Sequence, residues 1–438
     1  MWKKALFFFA AACLAFNFSG RAWRTARAQS QTVPGIQREP HLVVDKDNNL
    51  LLVTAVGASD AAGRQGAQIL FTRSVDGGAN WDNKPLTRNL SNSPINGVGA
   101  LFPRIAVTKT GKTRVYVVYD DDSAGPRQAY CVRSSKNTNF KRSAGLSSGS
   151  DGGLAPVVDT DSAGTVNVAW AGSINSPRQV VFARSTDQGL TFSQPINVSN
   201  STGEGFDPAI AIGADDAINL AWEDTGSGIG QILFSRSTDG GVSFSIPRQV
   251  SAALGEASDT EIAIDSQGRI IVAWIEEQPA GGTRIAISST SVGGAAFSAP
   301  DGAFSAADGA GFAPDGEFSA PLIVTSGPDA EFEYLAMVAR GTTIYLTYGD
   351  DDAQQVYLTQ SRSDVLNFSK PLQLSDADAN KGEAKSPSVA VDGNGRIHVV
   401  WIDTSILGGD HGVVIYRSSS DGQSFTPPVL IPAFVQAG

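Results

Sequence analysis

Apolar and polar residues alternate along this chain in short bursts, each cut off by Gly, Asp or Pro. The clearest stretch runs Asp207-Pro208-Ala209-Ile210-Ala211-Ile212, then Ala217-Ile218-Asn219-Leu220-Ala221-Trp222-Glu223-Asp224, then Gln231-Ile232-Leu233-Phe234-Ser235-Arg236. It continues as Ser237-Thr238-Asp239-Gly240-Gly241-Val242-Ser243-Phe244 and ends on Pro247-Arg248-Gln249-Val250-Ser251. β-Branched and alternating runs of this length, with turn residues between them, predict four strands in an antiparallel meander. After residue 28 no segment carries a competing helical period.

The same unit recurs. Its closing aromatic falls at Trp81, Phe140, Phe192, Phe244, Phe297, Phe368 and Phe425, and between Phe140 and Phe297 the intervals are 52, 52 and 53 residues. The second strand keeps the beat with Tyr119, Trp170, Trp222, Trp274, Tyr348 and Trp401. An aromatic at a repeating position serves the repeating interface, so these rings are expected to wedge one sheet against the next. A four-stranded sheet this short cannot bury both faces alone, and it leaves two exposed edges. Closing the copies into a ring solves both problems. The expected fold is all-β, a seven-bladed β-propeller of four-stranded antiparallel blades, with six blades as the second choice. The tail from Pro427 to Gly438 either completes its own blade or pairs with residues 29–38.

The chain opens Met1-Trp2-Lys3-Lys4 and continues into an apolar run from Ala5 to Phe16, too short to cross a bilayer as a stable helix. With the small-x-small triplet Ala26-Arg27-Ala28, this reads as a signal peptide over 1–28, followed by a single domain over 29–438. Cys13 lies inside the apolar run, which argues against lipidation. The first 28 residues hold five basic groups and no acidic one, so their removal takes the formal charge from −11 to −16. An acidic chain without a Lys/Arg cluster argues against nucleic acid or an anionic membrane as partner. Cys131 is then the only cysteine, so no internal disulfide forms and stability rests on a large core. The expected location is secreted, periplasmic or at the cell envelope, with no transmembrane segment after signal removal.

Three turns fit Ser-x-Asp-x-Gly-x-x-aromatic without a gap: Ser74 to Trp81, Ser185 to Phe192, and Ser237 to Phe244. The carboxylates of Asp76, Asp187 and Asp239 are suited to accept backbone N–H groups within the turn. These turns, in phase with the repeat, resemble the Asp box (BNR repeat) of the sialidase-like β-propellers, where the box is a structural turn remote from the substrate. The other copies are degraded: Ser418 to Phe425 moves its acid to Asp421, the fifth has Val292 in place of the Asp, Ser361 to Phe368 has Asp364 out of step, and Arg133 to Phe140 lacks both acid and glycine.

The resemblance implies a glycosidase site with three arginines holding a sugar carboxylate, an Asp as general acid and base, and a Tyr activated by a Glu as nucleophile. Arg38-Glu39-Pro40-His41-Leu42 echoes the Arg-Ile-Pro motif, and Gly57-Ala58-Ser59-Asp60 falls where the family carries its acid, making Arg38 and Asp60 the catalytic candidates. The echo is partial. Glu39 sets a negative charge beside the arginine. Arg269 and Arg396 follow glycines in turns on the opposite face, and Tyr348 occupies a wedge position.

By the same resemblance, the loops before the first strand and after the second share the ligand face. Here they carry Asp120, Asp121, Asp122, Glu223, Asp224, Glu276, Glu277, Asp350, Asp351, Asp352 and Asp403, with Glu204, Glu256 and Glu383 ahead of first strands. Acidic turns are ordinary soluble turns. Phased repetition also describes a negative rim for a cation, a basic peptide or amine, or Ca2+. None of the stretches has a fixed calcium spacing, His41, His398 and His411 lie in separate copies, and no metal or cofactor is expected beyond the Ca2+ alternative. An Asp/Gly-rich loop insertion over 301–333 repeats Asp301-Gly302, Asp308-Gly309 and Asp315-Gly316 and is assigned to this same face. The leading reading is an exported propeller that binds glycan or protein on its acidic face without hydrolysis. The alternatives are an exo-acting glycosidase of sialidase type and a structural module of an envelope complex.

Overall fold

A computed structural model describes residues 37–431, apart from 60–64, 83–88, 94–98, 135–138, 149–151, 174–176, 253–254, 280, 291–317, 328–329, 363–365, 379–380 and 407–411. Residues 1–28, expected to be a signal peptide, lie outside the described residues, as do Asp60, Val292, Phe297, Asp364, His411 and residues 301–317 of the insertion, and of the Arg38 side chain nothing is described. The described chain folds into seven antiparallel sheets, each made of consecutive strands in sequence order. Blade 4 is typical, with strands Gly205–Ile212, Ile218–Asp224, Gln231–Ser237 and Arg248–Gln249 lying side by side. Among the described residues blade 1 has three strands, Gln37–Val44, Leu50–Ser59 and Gln65–Ser74, and a bridge from Leu70 to Asn89. Among the described residues no helix is long and apolar enough to cross a membrane.

The first strands of the seven blades are Gln37–Val44, Ala100–Val107, Leu154–Thr160, Gly205–Ile212, Ala257–Ile264, Phe332–Arg340 and Ala384–Val391. Each packs against the next, and the seventh packs against the first, so they form a closed inner wall around a central channel. The chain is a seven-bladed β-propeller. Strand Val429–Ile431 pairs with Val413–Ser419 of its own blade, and among the described residues no strand is shared across the closure. The seam between blades 7 and 1 is instead a side-by-side contact of Leu42, Leu52, Trp81, Val400, Val414 and Tyr416. Hydrogen bonds cross it from Leu42 N–H to Ser388 Oγ at 3.0 Å, from Gly393 N–H to Asn48 Oδ1 at 2.7 Å, and from Tyr416 O–H to the Gly77 carbonyl at 2.8 Å.

The second-strand aromatics do what a repeating interface requires. Tyr119, Trp170, Trp222, Trp274, Tyr348 and Trp401 are all buried, each within the core shared with the preceding blade. Truncating one such ring to alanine removes on the order of 3–5 kcal/mol. The closing aromatics make a second set of contacts, edge-on to a third-strand ring of the blade before: Phe140 on Phe71, Phe244 on Phe182, and Trp81 on Tyr416, at 4.9, 5.1 and 5.4 Å between centroids. In blade 5 this position is held by Phe318, 5.0 Å from Phe234, where the spacing pointed to Phe297. Ser319 N–H donates to the Ser289 carbonyl at 2.8 Å as Ser245 N–H does to Arg236, which fixes the equivalence of Phe318 and Phe244. Thr290 and Phe318 pair at the end of blade 5 away from the first-strand starts, and Leu322–Ser326 is its fourth strand. The extra residues of blade 5 thus fall between its third and fourth strands, and the first three strands keep the pairing seen in the other blades.

The turns share one pattern of bonds. Ser185 Oγ donates to Asp187 at 2.7 Å and accepts Gly189 N–H at 2.8 Å, while Asp187 accepts the N–H groups of Leu190 and Thr191. Ser74/Asp76/Gly78 and Ser237/Asp239/Gly241 repeat the serine bonds. Ser419/Asp421/Gly422 makes the same set one residue shorter, so the copy that looked degraded keeps its function in the turn. The Thr191 hydroxyl and N–H hold the Asp187 carboxyl well below the usual range. A second repeated clamp went unnoticed in the sequence. A Gln opening the third strand accepts from a Ser beyond the fourth, whose Oγ accepts a third-strand N–H: Gln179/Ser199, Gln231/Ser251 and Gln355/Ser375.

Candidate functional site

The first strand of every blade breaks register once. The breaks fall between Arg38 and His41, Leu101 and Arg104, Leu154 and Val157, Phe206 and Ala209, Ser258 and Glu261, Glu333 and Ala336, and Lys385 and Ser388. Within each break one non-glycine residue sits in the left-handed region: Glu39, Phe102, Ala155, Asp207, Asp259, Tyr334 and Ser386. Such residues cost about 1–3 kcal/mol each, yet repetition in all seven blades ties them to the architecture. They ring the channel near the face where the first strands begin, termed the mouth. Glu39 Oε2 accepts the Phe102 N–H at 3.0 Å and Asp120 Oδ2 accepts the Ala155 N–H at 2.9 Å, so carboxylates of one blade satisfy bulge donors of the next.

Antiparallel pairing places Asp120, Asp121, Glu223, Asp224, Glu276 and Asp403 beside the starts of the first strands. All six are buried and turned to internal partners. Asp120 pairs with Arg127, which also holds Asp122 at 2.8 Å. Burial outweighs that pairing and pushes the Asp120 carboxyl up to about 7. Asp121 accepts from Ser93 Oγ and from Ser123 N–H; Asp122 accepts Gly99 N–H at 2.7 Å. Asp224 accepts Ser201 Oγ at 2.7 Å, Gly226 N–H at 2.8 Å and the Trp222 indole N–H at 3.3 Å. Arg284 grips Glu276 through Nε and Nη2 at 2.9 and 2.6 Å, and Asp403 accepts the N–H and hydroxyl of Ser405.

Of the remaining acids, all but Glu204 group around blades 5 to 7. Asp350 caps its own loop through Ala353 N–H. Burial, a hydrogen bond to Glu383 and the Glu383 charge push Asp351 up to about 6, while Lys385 pairs with Glu383. Glu331, which the sequence reading passed over, is raised first by burial and then by the charges of Asp352, Asp351 and Glu277. Glu204 and Glu256 enter the ladder through their backbones, with Glu204 N–H on Thr225 Oγ1 and Glu277 N–H on the Glu256 carbonyl. Among the described residues no group of three or more His, Cys, Asp or Glu side chains is placed to hold a metal ion. A separate cleft of about 360 Å³ between blades 3 and 4 is lined by Asn200, Ser201, Asp224, Gln231, Leu233 and Gln249, several of them already bonded to one another.

The chemistry that no local motif announced lies inside the channel. The residue after each register break forms one layer: His41, Arg104, Val157, Ala209, Glu261, Ala336 and Ser388, opposite Val53, Val118, Ala169, Ala221, Ala273, Thr347 and Val400 of the second strands. Blades 2 and 5 stand on opposite walls, yet the Arg104 charge acts on Glu261 as well as on His41. Burial lifts Glu261 to about 7 against the pull of Arg104 and with a further push from Asp259. These side chains keep some accessible surface because they line the channel, while protein surrounds them on every side. His41 Nδ1 accepts Ile105 N–H at 3.3 Å, which leaves the proton on Nε2, and burial, then Arg104, lower its pKa to about 3. Tyr348 is no channel residue. It stacks on Tyr357 and meets Phe332 edge-on in the core of blades 5 and 6, and burial raises its hydroxyl pKa strongly. Arg269 bonds Asp265 and Arg396 bonds Ser418 in turns of the far face.

No family model matches the chain, and no curated protein matches its sequence. Solved structures do match. A polysaccharide lyase of family PL25, an ulvan lyase bound to -[GlcA(1-4)Rha3S]-, is 10% identical over 92% of this chain and 96% of its own, with a TM-score of 0.54. The intramolecular trans-sialidase from Ruminococcus gnavus is 12% identical over 91% of this chain and 98% of its own, with a TM-score of 0.46. The leech intramolecular trans-sialidase is 12% identical over 90% of this chain and 69% of its own, with a TM-score of 0.47. At such identities likeness concerns fold alone. With its closed ring of seven blades and the Ser-Asp-Gly turns that brace four of them, the chain has the sialidase-like β-propeller fold.

Proposed function

We propose that this is an exported propeller that binds a glycan at the channel mouth without hydrolysing it. The observation that carries the reading is the fate of the arginines. Two guanidinium groups beside the mouth loops, Arg127 and Arg284, are locked in ion pairs with Asp120, Asp122 and Glu276, and a third, Arg178, lies over the Phe206 ring. Arg269 and Arg396 serve far-face turns. A set of three arginines gripping one sugar carboxylate would have to break buried pairs, each costly to open. The tyrosine matched to the second-strand beat is locked in a core. The ulvan lyase of like fold holds an acidic saccharide, which makes acidic glycans the first ligands to try.

One observation favours hydrolysis instead. Tyr334 stands in the left-handed bulge of blade 6, and Arg38 precedes the bulge of blade 1, so both flank the channel mouth. The two readings separate in one experiment. A glycan array and a fluorogenic sialoside assay are run on wild type and on Arg38→Ala, Asp60→Ala and Tyr334→Phe. Binding without turnover supports the proposal; turnover lost in the three variants overturns it.

A further inference from the structure

The channel layer below the bulges holds charged chemistry that binding at the mouth does not use. Its register is fixed by the second-strand partners of all seven blades, so the seven side chains stand at one height. Four of them, Val157, Ala209, Ala336 and Ser388, are small and leave the space to the other three. The Arg104 guanidinium has five N–H donors and, among the described residues, bonds only the adjacent Pro103 carbonyl, at 3.2 Å. No carboxylate pairs with it, although Glu261 faces it from the opposite wall. The Glu261 carboxyl likewise has no hydrogen-bond partner among the described residues. His41 presents its Nε2–H to the same layer, since Nδ1 is occupied by Ile105.

We propose that this layer is a binding site for a small tetrahedral oxyanion of the sulfate or phosphate class, seated between Arg104 and Glu261. The guanidinium supplies charge and a planar fork of donors suited to such an oxyanion. The His41 N–H adds a neutral donor. Glu261 decides when the site is open. Two charged groups act on its carboxyl, Arg104 from blade 2 and Asp259 from its own strand; the flanking first strands offer only Ala209 and Ala336 at this height. Its titration near pH 7 makes it a neutral donor below that pH and an anion-repelling carboxylate above it. The oxyanion is either a free ion or an ester group of a saccharide threaded from the mouth.

The test is calorimetric titration of the full chain with sodium sulfate, whose charge is constant from pH 6 to 8, at fixed ionic strength. Wild type should bind on the order of tenfold more tightly at pH 6 than at pH 8, the ratio of protonated fractions for a group titrating near 7. Glu261→Gln should bind at pH 8 as wild type does at pH 6, and Arg104→Met should lose binding while Arg104→Lys retains part of it. A sulfated disaccharide that displaces sulfate assigns the site to an ester; no displacement assigns it to the free ion. Absence of sulfate binding in wild type, unchanged binding in folded Arg104→Met, or wild-type pH dependence in Glu261→Gln overturns the proposal. Glycan binding at the mouth, scored on the same samples, fails or succeeds separately.

Discussion

Replacing Glu261 by glutamine should stabilise the protein, and only at neutral to alkaline pH. The carboxyl lies inside the channel wall with no hydrogen-bond partner among the described residues, and burial lifts it from 4.5 to about 7. A displacement of that size corresponds to roughly 3 kcal/mol between the protonation states. The surface it keeps in the channel trims this to about 1–3 kcal/mol. Because the folded-state value lies above the unfolded one, the fold holds a proton that the unfolded chain has released between pH 4.5 and 7, and stability falls as pH rises through that window. Above pH 7 the full penalty applies, and glutamine removes it. Asp120 and Asp351 also titrate above the usual carboxylate range, but they are common to both proteins and cancel in the difference. Urea unfolding followed by the fluorescence of the buried Trp170, Trp222, Trp274 and Trp401 reads the effect as a shift in midpoint. At pH 8 the midpoint of Glu261→Gln should rise above that of wild type, and at pH 4 the two should coincide. A variant that is less stable at pH 8, or a difference that ignores pH, would refute the placement of Glu261.

Other substitutions probe the seam and the turns. Tyr416→Phe removes the hydroxyl that donates to Gly77 and meets His398 Nδ1 at 2.8 Å, and should cost about 1–3 kcal/mol, with hydrogen exchange accelerating first in blades 7 and 1. Burial keeps His398 neutral and depresses its pKa, so its contribution is present above pH 6.5 and lost as pH falls below it; His398→Phe should flatten that acid limb in urea titrations. A Cβ on Gly78 would overlap the Tyr416 ring, whereas one on Gly77 meets nothing within 4 Å among the described residues; both have positive φ. Gly78→Ala should therefore lose several times the ~1 kcal/mol expected of Gly77→Ala. Arg127→Met strands the buried Asp120 and should cost about 3–5 kcal/mol at pH 8, and less at pH 5, where Asp120 is protonated.

The architecture was legible because it is periodic. Aromatics at Trp170, Trp222 and Trp274 recur at one interval because each fills the same gap between blades, so packing writes itself into spacing. The fifth closing aromatic was misplaced for a related reason. Extra residues between the third and fourth strands move Phe318 away from the beat and leave Phe297 close to it, while the first three strands keep their pairing. The acids at the mouth were visible as residues but not as partners. Arg127 and Arg284 lie across a hairpin from Asp120 and Glu276, a pairing that depends on register and burial. The bulges left a trace that went unused: Glu39, Phe102, Ala155, Asp207 and Ser386 each precede a proline, at the same height in five blades. The channel layer left almost none, since His41, Arg104 and Glu261 are far apart in sequence and differ in type from blade to blade. Only closure of the ring brings them together.

The account stands or falls on the channel as the place where ligand is met. The direct measurement is the affinity of an acidic oligosaccharide for wild type and for Tyr334→Ala at the channel mouth, with reducing-end release followed in the same tubes. Binding that weakens at least tenfold in the variant, with no release in either protein, is the predicted result. Equal affinity in both proteins, or steady release by wild type, would contradict it.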